Sequence, residues 1–395
     1  MVFLVPTLEA SQAVNSRGSL YLFVFLLFLG IGTASPIVPL FARSMGASYT
    51  QIGMLGASFG LAFVIFAIPL GALSDRFGRK ALVIVGGTVV PLAATGYLFA
   101  ATVYQVVNLR FAEGLSLATL LPTIEALATE LASTGKVGST MGWVSALYNA
   151  GFAGGSILAG TVTEWLGFHA AFLVYLIMGI AALAVAFTFP REILPAEAMP
   201  AQTKVLSGRL AWNDIHALLG YITGAVYIFD LGTMLTFLPV YARSLGLSLF
   251  ATGLLFSFFF MTRIGASLGA GLLSDRIGRY PVLSGGLLAC GAGCAVIAFG
   301  RQAWVFLAGG IMGLGLGTTY PVSIALISDG VPIAQRGLAM GVFETVGGVA
   351  FMIATAAGGF LADHLDPRAP YVLALGVSLI WGILIATIRF REKHS

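Results

Sequence analysis

The sequence predicts an all-α membrane protein, with twelve transmembrane helices in two six-helix bundles related by a pseudo-twofold axis. Of its 395 residues, 58% are hydrophobic and only 9% are charged, and the mean hydropathy is +0.97. A soluble domain carries about 25% charged residues, so much of this chain must face lipid. In addition, one charged sequence occurs twice, as GALSDRFGR at 71–79 and GLLSDRIGR at 271–279.

Twelve apolar segments are long enough to cross a bilayer as helices, which takes about 20 residues each. The first six lie at 18–42, 50–72, 80–100, 104–129, 138–162 and 170–190. The second six lie at 216–242, 249–272, 280–299, 303–327, 337–361 and 370–389. Many of the 51 glycines fall inside these segments, as expected where membrane helices approach closely.

A polar stretch with Pro195 and Pro200 separates the two sets and is predicted to be a cytoplasmic linker. The predicted divisions are a cytoplasmic segment 1–17, a first bundle 18–190, the linker 191–215, a second bundle 216–389 and a cytoplasmic tail 390–395. The first residues show neither a basic region nor a small-residue cleavage site, so we expect no signal peptide.

The distribution of Lys and Arg predicts the orientation, because cytoplasmic loops carry an excess of both. With both termini in the cytoplasm, only four of the 20 basic residues fall in outer loops, namely Arg43, Arg243, Arg301 and Arg368. Two more lie inside segments, and all the others fall on the cytoplasmic side. We therefore expect a multi-pass plasma-membrane protein, in a bacterium the inner membrane, with cytoplasmic termini.

The two halves are copies of one another. At an offset of 200, FARSMG at 41–46 matches YARSLG at 241–246, and at an offset of 199, Pro122 matches Pro321 and Glu130 matches Asp329. Chance similarity between apolar segments would match Leu and Ala rather than Asp, Arg and Pro at fixed spacing. Two halves in parallel orientation place a pseudo-twofold axis along the membrane normal, with a binding site between them.

The repeated sequence resembles the signature loop of the major facilitator superfamily, in the form Gly71-x-Leu73-Ser74-Asp75-Arg76-x-Gly78-Arg79-Lys80. Arg110-x-x-x-Gly114 in the fourth segment resembles a second motif of that superfamily. The resemblance covers the chain apart from linker and tail, and is strongest to twelve-helix drug–proton antiporters. In the fifth segment the antiporter pattern Gly-x-x-x-Gly-Pro-x-x-Gly-Gly has lost its proline and one glycine, leaving Gly151, Gly155, Ser156, Ala159 and Gly160.

We predict that the repeated loops form a conformational latch. Asp75 can pair with Arg79 and accept hydrogen bonds from the N-terminus of a neighbouring helix, where the helix dipole favours an anion. The resemblance implies that this neighbour is the eleventh helix, with Glu130 completing a charge cluster that holds the outward-open state. Alternatively, the loop charges only set the topology. The predicted latch residues are Gly71, Asp75, Arg76, Gly78, Arg79, Glu130, Asp275 and Arg279.

Ionisable residues inside apolar segments indicate function, because burying them in a membrane is costly. They are Arg110, Glu113, Glu125, Asp230, Arg263 and Glu344. Burial favours the neutral carboxyl group and a nearby guanidinium favours the carboxylate. We predict Asp230, near the midplane, as the first proton-coupling residue, and Glu113 with Arg110 as the second. The alternative for Arg110 and Glu113 is a structural ion pair.

The central cavity is predicted from polar and aromatic side chains of several segments. Its predicted residues are Tyr148, Asn149, Tyr227, Thr319, Tyr320, Arg263 and Glu344, the last two at similar depth, where they can pair. The phenylalanines at 256 and 258–260 either line the cavity or face lipid. Few fixed charges and many aromatic rings favour a lipophilic or weakly polar cargo.

The predicted function is secondary active transport of a small lipophilic molecule by alternating access, most simply proton-coupled multidrug efflux by an antiporter. The alternatives are a metabolite uniporter or importer, a lipid flippase and, more remotely, a membrane receptor or enzyme. We expect no enzymatic activity, no cofactor and no metal. The expected partners are a small-molecule substrate, protons and membrane lipid, without nucleic acid, and the chain is expected to be a monomer.

Overall fold

A computed structural model describes residues 5–132, 137–189, 214–332 and 335–392. Side chains are described over the same ranges except at 5–15, 71–72, 75, 137, 336–338 and 389–392. The regular elements in these ranges are helices and include no strand, which agrees with the predicted all-α class. The predicted linker 191–215 lies almost wholly outside the described residues.

In the described residues, seven α-helices precede the linker. They are α1 (Val5–Ala34), α2 (Ile37–Ser44), α3 (Tyr49–Phe77), α4 (Arg79–Phe99), α5 (Val103–Glu130), α6 (Val137–Leu166) and α7 (Phe168–Phe187). Six follow it: α8 (Ile215–Ser244), α9 (Leu249–Ile277), α10 (Arg279–Phe299), α11 (Val305–Gly330), α12 (Arg336–His364) and α13 (Ala369–Glu392). The helices α1 and α2 together form the first predicted crossing, interrupted at Pro36, where the missing N–H breaks the helical ladder.

Eleven helical spans in the described residues are long and apolar enough to cross a membrane. The remaining predicted crossing, 138–162, is helical throughout as α6 but carries several polar side chains, Asn149 among them. The helix α1 begins at Val5, upstream of the predicted start at 18, because 8–13 (LEASQA) is rich in good helix formers.

The repeated charged sequences are mostly helical rather than loops. In the first copy, α3 continues to Phe77 and only Gly78 separates it from α4; in the second, Gly278 separates α9 from α10. Both glycines have positive φ angles, 87° and 94°, a conformation that side chains with a Cβ rarely adopt. We call the end of the molecule with these two glycines the loop end, and the other the far end.

The two halves repeat the same packing. In the first half α1 packs on α6, α3 on α5, and α4 on α7; in the second, the equivalent pairs are α8 with α12, α9 with α11, and α10 with α13. Between the halves, α3 packs on α12 and α6 packs on α9, and these contacts are also equivalent to one another. The helices therefore form two bundles related by a pseudo-twofold axis, as the duplication predicts.

Candidate functional site

The backbones of the two halves touch at the far end. A Cβ atom on Gly53 would lie 2.3 Å from the carbonyl oxygen of Thr355, and one on Gly253 would lie 2.3 Å from that of Ser156. Only glycine permits so close an approach at these positions. Since the two contacts are related by the internal repeat, the far end is closed on both sides of the pseudo-twofold axis.

At the same end, each half contributes one carboxylate that caps a helix of the other half. The Oδ1 of Asp363 accepts from Tyr49 N at 2.8 Å, and its Oδ2 accepts from Thr50 N at 2.6 Å. The Oε2 of Glu164 accepts from the backbone N–H groups of residues 249 and 250, at 2.6 and 3.1 Å. Free N–H groups and the helix dipole make a helix N-terminus favourable for an anion. We call Asp363 and Glu164 the twin caps.

A buried arginine lies between the two halves. The guanidinium of Arg263 on α9 donates from Nη2 to the hydroxyl of Tyr227, and its Cζ lies 5.7–5.9 Å from the ring centroids of Tyr148, Tyr227 and Phe260. Arg263 is only 6% exposed. Its Nη1 has no hydrogen-bond partner, and no salt bridge to it occurs among the described residues. Because Tyr148 belongs to α6, the first half also contributes to this site.

Aromatic rings extend the surroundings of Arg263 in two directions. The rings of Phe152 and Phe260 stack across the halves, with centroids 4.6 Å apart. The rings of Tyr227 and Tyr320 lie 5.2 Å apart, and Phe343 follows at 6.0 Å from Tyr320. The guanidinium is therefore set in a wall of rings, which we call the aromatic wall (Tyr148, Phe152, Tyr227, Phe260, Tyr320).

Two carboxyl groups without a cationic partner lie near this wall. Glu344 on α12 and Glu125 on α5 belong to different halves and are close enough for their charges to interact. Glu344 also interacts electrostatically with Tyr148 and Tyr227. Both glutamates are half-buried, and neither forms a salt bridge within the described ranges. The predicted pairing of Arg263 with Glu344 is not formed, since the guanidinium is turned to the Tyr227 hydroxyl.

The comparisons with known proteins agree on one family. The sequence profile of the Major Facilitator Superfamily matches residues 20–262 and 220–395. The chain belongs to the major facilitator superfamily. The uncharacterized MFS-type transporter MJ1560 of Methanocaldococcus jannaschii is 23% identical, over 92% of this chain and 96% of that protein. The multi-drug resistance efflux pump PmrA of Streptococcus pneumoniae is 24% identical, over 93% and 94%.

Among solved structures, a mutant of the nucleoside transporter NupG superposes with a TM-score of 0.81 at 15% identity, covering 94% of this chain and 99% of that one. At this identity the likeness shows the fold alone. It agrees with the twelve-helix arrangement predicted from the sequence. The chain is therefore a multi-pass membrane transporter of the superfamily.

Asp230, the first predicted proton-coupling residue, is enclosed within the second half of the transporter. It is fully buried, and its Oδ2 accepts from Ser378 Oγ on α13 at 2.5 Å, whereas Oδ1 has no partner in the part of the chain described. The thiols of Cys290 and Cys294 on α10 interact with it electrostatically. Asp230 thus faces helices α10 and α13 of its own bundle.

Arg110 and Glu113, the second predicted coupling pair, form a buried salt bridge. Arg110 Nη1 lies 2.7 Å from Glu113 Oε2, which also accepts from Tyr97 Oη at 3.0 Å. The guanidinium of Arg110 lies 5.1 Å from the centroid of the Phe59 ring. The structure brings these two residues together as an internally neutralised pair within the first half.

The other predicted cavity residues are placed differently. Asn149 is 3% exposed and its amide donates to Ser145 O of its own helix at 2.8 Å. Thr319 is fully buried, donates to Gly315 O, and faces Gly286 on α10. Neither contacts Arg263, so the structure brings together Tyr148, Tyr227, Tyr320, Arg263 and Glu344 and leaves Asn149 and Thr319 apart.

The predicted latch residues form equivalent ion pairs in the two halves. Arg79 Nε lies 3.0 Å from Glu130 Oε1, and Arg279 Nε lies 3.2 Å from Asp329 Oδ2. Arg279 also pairs with Asp275 at 2.7 Å. Each of these pairs lies within one half. Arg76 is exposed, with its guanidinium 5.5 Å from the centroid of the Phe77 ring. The side chain of Asp75 and the surroundings of Gly71 lie outside the described residues.

Sequence reasoning missed the twin caps. They occupy positions 164 and 363, related by the same offset of 199 that matches Glu130 with Asp329. Gly160 and Gly359 show this offset too, and each faces a glycine of the other half. Continuing the alignment to the ends of α6 and α12 would have revealed a repeated Gly-x-x-x-acid pattern, although not the helix that each acid caps.

Proposed function

We propose that this transporter exports a small organic molecule from the cell by alternating access, in exchange for protons. The observation that carries the proposal is the arrangement between the halves. A cationic aromatic site lies between halves that the twin caps join at the far end, and so do two carboxyl groups that have no cationic partner among the described residues. Such a site becomes accessible from alternate sides when the contacts at one end break and those at the other form.

The proposed coupling group is Glu344, together with Glu125. Ionising two neighbouring carboxyl groups in one poorly solvated space is unfavourable, so the pair is suited to hold a proton. When the halves rearrange, Glu344 and Glu125 separate and their solvation changes, which releases the proton. Asp230, enclosed within one half, remains the alternative coupling residue predicted from the sequence.

Export is supported by the similarity to PmrA, which is described as a multi-drug resistance efflux pump. We propose that the loop end faces the cytoplasm of a bacterial cell, as the distribution of Lys and Arg favours. On that orientation, the structure has its outer side closed by the twin caps. The ion pairs of Arg79 and Arg279 at the loop end would then hold in place the helix ends that form the latch in the outward-open state.

The test is dye transport into inside-out vesicles under an imposed pH gradient. We expect uptake of the small fluorescent acid dansylglycine that stops when nigericin collapses the pH gradient. Glu344→Gln should reduce gradient-driven transport at least tenfold while leaving dye exchange without a gradient measurable, because binding survives when coupling is lost. Asp366→Asn, an exposed acid at the far end, is the control and should transport normally.

Full gradient-driven transport by Glu344→Gln would contradict the assignment of coupling to Glu344. Loss of coupling in Asp230→Asn but not in Glu344→Gln would assign it to Asp230 instead. Transport that is indifferent to the gradient in the unchanged protein would overturn proton coupling altogether and indicate a uniporter.

A further inference from the structure

We propose that the cargo carries a single carboxylate, which pairs with Arg263, on an aromatic or otherwise apolar body that packs on the aromatic wall. This inference rests on the proposed function in that it names the cargo of the same site. It replaces the uncharged lipophilic cargo expected from composition by a monoanionic one.

The first step is the unbalanced charge of Arg263. Arginine stays protonated in proteins, and a buried charge without an opposite charge is strongly unfavourable. Around Arg263 the structure places two neutral hydroxyls, those of Tyr227 and Tyr148, and three ring faces, and it leaves Nη1 without a hydrogen-bond partner among the described residues. The face of an aromatic ring attracts a cation much less strongly than a carboxylate does. An anion is therefore missing from the immediate surroundings of Arg263.

The second step is a comparison with the other arginine buried within the helices. Arg110 is 9% exposed and has Glu113 at 2.7 Å, so its charge is neutralised inside the protein. Arg263 is buried to a similar degree. Glu344, the acid predicted from the sequence to pair with it, forms no salt bridge with it in the described part of the chain. Within the described ranges, then, one buried arginine has a carboxylate partner from the protein and the other can pair with a carboxylate of the cargo.

The third step is geometry. A guanidinium presents parallel N–H groups that match the two oxygens of a carboxylate, and Nη1 is the donor left open here. Tyr148 from α6 and Tyr227 from α8 flank the guanidinium, so an anion bound there contacts both halves. The stacked rings of Phe152 and Phe260 are buried beside it, whereas Tyr148 and Tyr320 are partly exposed and offer the accessible part of the aromatic wall.

The fourth step limits the charge of the cargo. Glu125 and Glu344 adjoin the same space, and their carboxylates would repel a second negative group when ionised. The arrangement therefore favours one carboxylate over a dicarboxylate or a phosphate ester. It also places the anion that binds Arg263 beside the carboxyl group proposed to carry the proton.

The experiment compares two fluorescent probes that differ only in the carboxylate, dansylglycine and dansylglycinamide. Their binding to the purified full chain in lipid nanodiscs is measured by fluorescence at equilibrium, with equal pH on both sides. We expect dansylglycine to bind roughly tenfold or more tightly than the amide, in line with a hydrogen-bonded ion pair. Arg263→Gln should bring the two affinities within about twofold by weakening only the acid.

Two further variants control for folding and for general charge. Arg263→Lys keeps the positive charge and should retain part of the preference for the acid, while losing the paired geometry. Arg301→Gln removes an exposed arginine before α11 and should retain the full preference. The affinity of each variant for dansylglycinamide reports whether its site is intact.

The proposal is overturned if the unchanged protein does not prefer the acid, whether through equal affinities or through no measurable binding of either probe. It is also overturned if Arg263→Gln keeps the preference. Because no gradient is applied, these outcomes do not depend on proton coupling. Failure of the vesicle assay together with an Arg263-dependent preference would refute proton-driven export and leave the anion site standing.

Discussion

Replacing Asp363 with Asn should open the far end more than replacing Glu164 with Gln, although both changes remove one negative charge. Asp363 uses both of its oxygens, one for each backbone N–H, so an amide keeps one hydrogen bond and sets its own N–H₂ group against the other donor. Glu164 uses Oε2 alone for both N–H groups, so the carbonyl oxygen of Gln can replace it.

The magnitudes follow from the capping contacts. Loss of a cap costs about 1 kcal/mol, and loss of the charge at a helix N-terminus adds about 0.5 kcal/mol at a solvent-exposed site. Asp363→Asn should therefore shift the equilibrium between closed and open far ends by about 1.5 kcal/mol, roughly tenfold. Glu164→Gln loses only the charge and should shift it about twofold.

The assay is double electron–electron resonance between spin labels at Leu166→Cys and Leu365→Cys, one in each half at the far end. Both positions are exposed, at 73% and 75%, and the two native cysteines are buried. The fraction of long distances should rise from unchanged protein to Glu164→Gln to Asp363→Asn. Asp366→Asn, which removes a charge from the same end without touching a helix of the other half, should change nothing.

An unchanged distance distribution in Asp363→Asn would refute the capping argument. An equal or larger effect of Glu164→Gln would show that charge, rather than the number of accepting oxygens, determines the strength of the contact.

Two further predictions concern stability, each measured as thermal unfolding of purified protein in detergent. Arg110→Gln leaves Glu113 buried without its partner and should destabilise the fold by about 3–5 kcal/mol, whereas the double variant with Glu113→Gln should recover much of that loss. If the double variant is no more stable than the single one, burial of an unpaired Glu113 carboxylate is not the cause of the loss. Gly53→Ala forces a Cβ into backbone atoms of α12 and should destabilise the fold by about 1–3 kcal/mol. Gly269→Ala, which has open space around it, is the matched control. Equal effects of the two substitutions would contradict the close approach of α3 and α12.

The repeat predicted the scaffold well because scaffold contacts depend on residues that both halves kept. Gly78 and Gly278 require the same positive φ, and Arg79 and Arg279 find equivalent acids on the neighbouring helix. A single sequence with a duplication supplies two copies of each such constraint. The helix boundaries were less predictable, since the charged ends of α3 and α9 are polar and still helical.

The candidate site was predicted only in part, because depth along a helix does not specify the direction of a side chain. Asp230 and Thr319 lie at suitable depths, but both are turned into their own bundle. Arg263 and Glu344 were expected to pair on depth alone, whereas the Arg263 guanidinium donates a hydrogen bond to the Tyr227 hydroxyl instead. Rotation about the helix axis comes from packing between helices, which no single segment encodes.

The asymmetry between the halves distinguishes transport chemistry from architecture. The twin caps and the glycines beneath them recur in both halves, as a symmetric closure requires. Arg263 and Glu344 have no charged counterpart, since offsets of 200 and 199 lead to Phe63 and Ser145. Duplication did not need to keep charges at these positions, and burial opposes them. Their presence in one half supports the different roles that we propose for them, anion binding by Arg263 and proton coupling by Glu344.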